Sequence, residues 1–447
     1  MPTVSHKNYL FMYKLMFSLL LVVFATALFA QKQEPYEFKE IKRLAATPVK
    51  SQDQTGTCWA FSSASFLESE ALRLGKGEAN LSEMFVVRHI YRQKCENYVR
   101  RQGTAQFGEG GLAHDLLNAV KAFGIMPESE YPGRKDSDKP YNHKQLAKGL
   151  KTRCDEMVTL GKAGKLPVNW LAGIDSLLDV EFGAVPQTFT VDGTVFTPVS
   201  YRDYLGLHPD DYVTITSFTH HPFYTSFILE IPDNWSNGSF YNVPVNELMR
   251  CLNYSLERGF TVEWDADVSN MGFSPGNGIA IVPEKDWKDR SVSERQSAFK
   301  IWEPEIPVTQ EYRQQLFDTQ VTTDDHLMHI VGMLDEAHSG AFYVVKNSWG
   351  DNNDARGFVN ASENYMRANT ISFTVHKSAL PVDLIRKLSI PSTTSITPVV
   401  RPGVNPEGSD KAAQPGQGTN STRLRPQASK VQPQALPKVT KPKSSNN

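Results

Sequence analysis

Four cysteines and eleven histidines are spread over 447 residues, and one cysteine stands where its thiol is suited to nucleophilic work. In Val49-Lys50-Ser51-Gln52-Asp53-Gln54-Thr55-Gly56-Thr57-Cys58-Trp59-Ala60-Phe61-Ser62 a polar, glycine-containing turn runs into apolar residues at Phe61, Leu67, Leu72 and Leu74. This spacing predicts a helix that starts at or near Cys58 and stops at Gly75. A helix N-terminus offers unpaired N–H groups and the positive end of its dipole, and both favour thiolate. The Cys58 N–H itself can be aimed at a developing oxyanion.

A nucleophilic thiol needs a base. Thr322-Thr323-Asp324-Asp325-His326-Leu327-Met328-His329-Ile330-Val331-Gly332 reads as a strand with two candidates. Strand alternation puts His326, Met328 and Ile330 on one face and Leu327, His329 and Val331 on the other, so only one histidine can face a cleft. Asp325 stands where it could favour the imidazolium of His326. A second strand, Ala341 to Val345, leads into Lys346-Asn347-Ser348-Trp349-Gly350. Further helices are expected from Met84 through Tyr91, from Leu112 to Phe123 behind Gly110-Gly111, and from His143 to Leu160.

Gln-x5-Cys-Trp-Ala-Phe-Ser opened by Val-Lys, Leu81-Ser82-Glu83, Gly110-Gly111, Gly124-Ile125-Met126-Pro127-Glu128, Tyr131-Pro132 and Asn-Ser-Trp-Gly resemble, in order, the motifs of papain-like cysteine peptidases. Thr55 replaces the cysteine that the papain branch carries three residues before its nucleophile. This resembles the bleomycin hydrolase and aminopeptidase C branch, as do Tyr241 to Met249 and Gly259 to Val262. The resemblance implies a two-lobed α+β fold with a helical lobe, a β-barrel-like lobe and a cleft between them. It implies Cys58 as nucleophile, with Gln52 and the Cys58 N–H as oxyanion hole. The family's histidine stands six residues before a glycine; Gly332 therefore selects His326 as base and leaves His329 half buried or at the surface. Asn347 would orient the imidazole, Trp349 would shield that bond, and Gly110 and Gly111 would bind the substrate backbone. The activity implied is peptide hydrolysis through a thioester on peptide or protein substrates, without a cofactor. In the branch the C-terminus folds into the cleft and limits action to the N-terminal residue, and members often form hexamers. Here the chain runs past that end. Aminopeptidase action is the first expectation and endopeptidase the alternative. A noncatalytic envelope-binding module is a third reading, which would have no need of Cys58, His326, Asn347 and Gln52 together.

The formal charge of −2 is a sum over unlike parts: +2 in residues 1–30, +6 in 391–447, and −10 between them. Lys7 and Lys14 precede an uncharged, apolar stretch from Leu15 to Ala30, with Ala25-Thr26-Ala27 as an A-x-A cleavage site and Ala30 as the alternative. That reads as a signal peptide, hence a periplasmic or extracellular protein. Residues 391–447 hold nine prolines and no aromatic residue, a disordered basic tail. It is either a passive solubilising tail or a weak contact for an anionic envelope surface, and no nucleic-acid motif accompanies it. The peptidase domain is expected over 31–390, with an insertion at about 133–266. Cys95, Cys154 and Cys251 are expected as buried thiols. His220 and His221 are no metal site by this reading, because neighbours on a strand diverge and no ligand partner lies at metal spacing.

Overall fold

In the computed structural model, which describes residues 34–134, 136 and 139–393, the predicted helix α1 spans Cys58–Arg73. Every residue of it from Cys58 to Ala71 is buried, so it has no solvent face and is rich in small side chains instead. Its serines let it lie against a sheet while satisfying their own hydroxyls. Ser62 Oγ donates to the Met328 carbonyl at 2.7 Å, Ser63 Oγ to the Glu263 carboxylate, and Ser65 Oγ lies 2.9 Å from His329 Nδ1. Helices α2 (Glu83–Arg100), α3 (Ala113–Phe123), α4 (Lys144–Lys162) and α5 (Leu171–Phe182) complete the helical lobe. Ser82 caps α2 by accepting from the Phe85 N–H at 3.0 Å.

The other lobe is an eleven-stranded sheet. Its strands are β1 (Phe38–Arg43), β4 (Tyr212–Thr216), β5 (Ser226–Ile228), β6 (Ser239–Asn242), β7 (Val262–Ala266), β8 (Phe273–Ser274), β9 (Ile279–Ala280), β10 (His326–Glu336), β11 (Gly340–Lys346), β12 (Phe358–Ser362) and β13 (Thr370–His376). A separate hairpin pairs β2 (Phe189–Val191) with β3 (Thr194–Phe196). The order β5-β6-β4-β13-β7-β10-β11-β12-β9-β8 puts β10 at the centre, and β1 pairs with its far end. Gly332 permits this: a Cβ there would stand 2.6 Å from the Lys42 carbonyl oxygen of β1. The two faces of β10 serve two cores. Leu327 packs into the helical-lobe core, whereas Met328 and Ile330 join Trp264, Tyr343 and Phe373 in the sheet-lobe core.

The expected insertion is no separate body. Its α4 and α5 pack on α2, β4 and β6 extend the sheet, and β7 lies between β10 and β13. After β13 the chain packs on helix α6 (Val245–Glu257), with Asp383 paired to Arg250 at 2.6 Å and Lys387 to Glu247 at 3.0 Å. The expected leader and all but the first three residues of the expected tail lie outside the described residues. Among the described residues no helix is long and apolar enough to cross a membrane.

Candidate active site

Cys58 is the first residue of α1, behind Thr57, whose side chain makes no capping bond. The Thr57 carbonyl takes the Ala60 and Phe61 N–H groups at 2.9 Å and 3.2 Å, and the Trp59 N–H turns to the Cys58 thiol. The thiol is almost wholly covered, 8 % exposed. Burial pushes it up to about 12, against backbone N–H groups of Leu327 and Trp59 that favour the thiolate; Asp324 and Asp233 push it up further. This corrects the sequence expectation: the helix terminus is present, but desolvation outweighs it.

His326 opens β10 and Asn347 follows β11. His326 Nε2 and Asn347 Oδ1 are 2.7 Å apart, so Nε2 holds the hydrogen and donates it, leaving Nδ1 as the basic nitrogen. Asn347 Oδ1 is held in turn by the Ser348 N–H at 2.7 Å. The Trp349 ring lies on the imidazole with centroids 4.5 Å apart and planes tilted 30°. It covers the His326–Asn347 bond from the solvent side, itself 43 % exposed. Burial lowers His326 to about 4, opposed by the bond to Asn347. Each charge alone is thus disfavoured here. Moving the thiol proton to the imidazole creates both together and leaves the pair neutral overall. Asp325 does not assist, contrary to expectation. It is exposed and accepts from Ser269 N–H at 3.2 Å and Thr323 Oγ1 at 2.8 Å.

Gln52 is fixed at both ends of its amide. Its Oε1 accepts from Ser348 Oγ and its Nε2 donates to the Thr55 carbonyl, each at 2.7 Å. One Nε2 hydrogen remains for an oxyanion. The segment is held from below by Lys50, whose ammonium meets Glu83 at 2.7 Å and Glu68 and Glu128 at 3.3 Å. The Lys50 carbonyl accepts from Gly350 N–H at 3.1 Å. Ser348, which the motif contains without assigning it a role, therefore locks Gln52 to Asn347.

Gly110 and Gly111 flank the same site. Glu109 accepts from Gly56 N–H at 2.8 Å through its carboxylate and from Trp59 Nε1 at 3.0 Å through its carbonyl. Gly111 lies against the Trp59 indole. Gly110 is overlaid by Asp233, whose carboxylate would overlap a Cβ at that position. No sequence signal pointed to Asp233.

Two further expectations need correction. His329 is fully buried, not half buried or at the surface. It faces α1, bonded to Ser65, and burial with nearby Lys346 holds it well below the usual histidine range. His220 and His221 lie in the turns after β4 rather than on a strand, so they do not diverge. Both reach Glu230, at 3.3 Å and 2.9 Å. Gln314 nevertheless disfavours a metal there. Its Oε1 takes the Thr219 N–H at 2.6 Å, so its Nε2 donates to Asp318 at 2.7 Å and faces His220 Nδ1 at 3.1 Å. The His220 proton then sits on Nε2 and points at Glu230, where a metal would need the lone pair. Cys95, Cys154 and Cys251 are buried free thiols.

Comparison with known proteins is consistent with this geometry. The family model of the Peptidase C1-like family matches residues 86–397. Aminopeptidase G of Lactobacillus delbrueckii subsp. lactis is 24% identical over 382 residues, 76% of this chain and 83% of its own length. Aminopeptidase W of the same organism is 23% identical, with 75% and 82% covered. Aminopeptidase C of Lactococcus lactis subsp. cremoris is 21% identical, with 75% and 82% covered. The crystal structure of PepW from Lactobacillus rhamnosis HN001 superposes with a TM-score of 0.62 at 18% identity, over 78% of this chain and 84% of that one. It shows the same α+β papain-like fold.

Proposed function

Since the chain belongs to the Peptidase C1-like family, we propose that it is a cysteine aminopeptidase in which Cys58, His326, Asn347 and Gln52 carry the reaction. The observation that carries this reading is the 2.7 Å bond from His326 Nε2 to Asn347 Oδ1 beneath Trp349, with the N–H of the next residue, Leu327, turned to the Cys58 thiol at a helix N-terminus. The names of the relatives support the exopeptidase assignment.

The thiol proton passes to His326 Nδ1 as Cys58 Sγ attacks the carbonyl carbon of the first residue. The oxyanion is met by the Cys58 N–H and the remaining Gln52 Nε2 hydrogen. His326 then protonates the leaving amine, and the carbon–nitrogen bond breaks to give a thioester. Water, deprotonated by His326, attacks the thioester and releases the amino acid and the thiol. Asn347 keeps the ring in one tautomer throughout.

Reduced protein incubated with aminoacyl arylamides, free or acetylated at the amine, tests this. Turnover of the free-amine substrates, abolished in Cys58→Ala, is expected. Turnover of neither substrate refutes peptidase action, and equal turnover of both refutes the aminopeptidase reading. The charge pattern of residues 1–30 supports export, checked by the mature N-terminus after expression with the leader. The +6 tail supports a weak envelope contact, checked by salt-dependent pelleting with anionic vesicles.

A further inference from the structure

The segment Leu229–Ser239, between β5 and β6, crosses the site. On the helical lobe it is fastened to Asp115 of α3, which accepts from Trp235 Nε1 at 3.0 Å and Ser236 Oγ at 2.8 Å. His114 Nε2 lies 2.9 Å from Ser236 Oγ. Asn234 closes the loop on itself, bonding the Leu229 and Gly238 carbonyls at 3.0 Å and the Gly238 N–H at 2.7 Å. At its tip Asp233 lies over Gly110, while its backbone N–H turns to the carboxylate of Asp324, two residues before His326. The loop therefore joins the two lobes at the glycine end of the cleft.

Three carboxyl groups gather behind this tip: Asp233, Asp324 and Asp265. Asp324 and Asp265 are hydrogen-bonded carboxyl to carboxyl, so Asp265, raised by burial, keeps the proton and donates it to Asp324. Asp324 is held up at about 7 by burial and by Asp233, and burial also raises Asp233. Lys94 is the nearby cation and opposes the rise of Asp233; its hydrogens go to the Gly108 carbonyl at 2.9 Å and the Gly110 carbonyl, not to the carboxyl groups. The site is thus a covered acidic corner in which three carboxyl groups share few donors, and Asp233 and Asp324 act electrostatically on the Cys58 thiol.

We propose that this strap closes the cleft one residue beyond Cys58 and that Asp233 and Asp324 receive the free α-ammonium of the substrate. This rests on the aminopeptidase reading and names its recognition device. In a peptide the α-nitrogen is about 2.5 Å from the carbonyl carbon of its own residue. A carboxylate that binds it must lie about 5 Å from the carbon that Cys58 attacks. Only groups near the thiol can meet that condition; Asp233, over Gly110, and Asp324, which takes the Asp233 N–H, are carboxyl groups whose charge acts on it. A longer peptide would have to pass through the space that the Asp233 carboxylate fills. Binding has a second effect. The two carboxylates oppose the thiolate, and an ammonium between them cancels that opposition, so the correct substrate makes its own nucleophile more acidic.

Steady-state kinetics of Asp233→Asn and Asp324→Asn on matched free-amine, N-acetyl and des-amino arylamides tests the proposal, with alkylation of Cys58 by iodoacetamide followed against pH. For free-amine substrates KM should rise at least tenfold, whereas for des-amino substrates, which carry no ammonium to lose, KM should not rise. The alkylation profile of the unliganded variants should move to lower pH, a change that a merely structural role would not produce. Trp235→Ala, which loosens the strap, should gain turnover of N-acetyl dipeptides. Unchanged KM and an unmoved alkylation profile in both Asp variants, with wild type active on free amines, overturn the proposal and leave the aminopeptidase reading standing. Wild type that ignores free amines overturns that reading itself.

Discussion

Glu263 in β7 provides a test of how the interface beneath the nucleophile helix is held. Its carboxyl accepts from Ser63 Oγ of α1, and its second oxygen is buried without a partner. Burial raises it from 4.5 to about 8, with the serine bonds opposing. A carboxyl raised in the folded state is protonated there while the unfolded chain has already lost its proton. Stability from this group is complete below pH 4.5 and is lost as pH rises towards 8. At about 1.36 kcal/mol per pKa unit, the part lost between pH 6 and pH 8 is about 2 kcal/mol. For a body this large that corresponds to a Tm decrease of about 3 °C. Glu263→Gln keeps an acceptor for Ser63 and cannot ionise. The measurement is Tm by calorimetry from pH 6 to 8 for both proteins. Asp324, Asp265 and Glu83 are raised as well, so the difference between the two curves is what isolates Glu263. Wild type should approach and then fall below Glu263→Gln as pH rises. Parallel curves would falsify the assignment of a neutral buried acid at this place.

Three further outcomes are expected. His326→Ala should lower kcat/KM by about 10²–10⁴, whereas His329→Gln should lower Tm and change kcat/KM less than tenfold; the reverse ranking overturns the choice of base. Asn347→Ala should reduce kcat about 10- to 100-fold, the range for losing a partner that orients a histidine, with KM nearly constant in the same assay. Gly357 has φ +79° and a Cβ there would stand 2.6 Å from the Gly350 carbonyl oxygen and 2.7 Å from Val49 Cγ1. Gly357→Ala should therefore cost about 2–3 kcal/mol by urea unfolding. Activity should fall with it, because the Gly357 carbonyl receives the Asn347 N–H at 3.0 Å.

What could be read in advance follows from the range of the forces involved. Cys58 at a helix start follows from local periodicity, and α1 begins there; strand alternation says only that one of His326 and His329 faces a cleft, and the choice of His326 rests on the resemblance. The helix over His143–Leu160, observed as Lys144–Lys162, was legible from its local pattern as the Cys58 helix was, whereas the two-lobed α+β fold was implied by the resemblance. His329 was misjudged because its burial is due to Ser65, 264 residues away. The divergence assigned to His220 and His221 failed because the chain leaves β4 at Thr216 and turns. Asp233 and Glu263 carry no local signature: one is positioned by a loop fastened to α3, the other by a helix from the opposite lobe. The acidity of Cys58 was predicted from the helix terminus alone, and the covering layer that reverses it is made of residues distant in the chain.

The pairing of β1 with β10 also bears on when the site comes into being. Lys42 and Gly332 are sequence-distant neighbours, as are Ser62 and Met328, and Asn347 lies further along still. During N-to-C synthesis the nucleophile helix leaves the ribosome long before the strand it must lie on. Such non-local contacts close late and slowly. Until β10 and β11 arrive, Cys58 has no imidazole beside it, and the chain that carries it has no means of cleaving peptides. The topology thus delays hydrolytic competence until nearly the whole described body has been made, and so protects the nascent chain and its neighbours during synthesis.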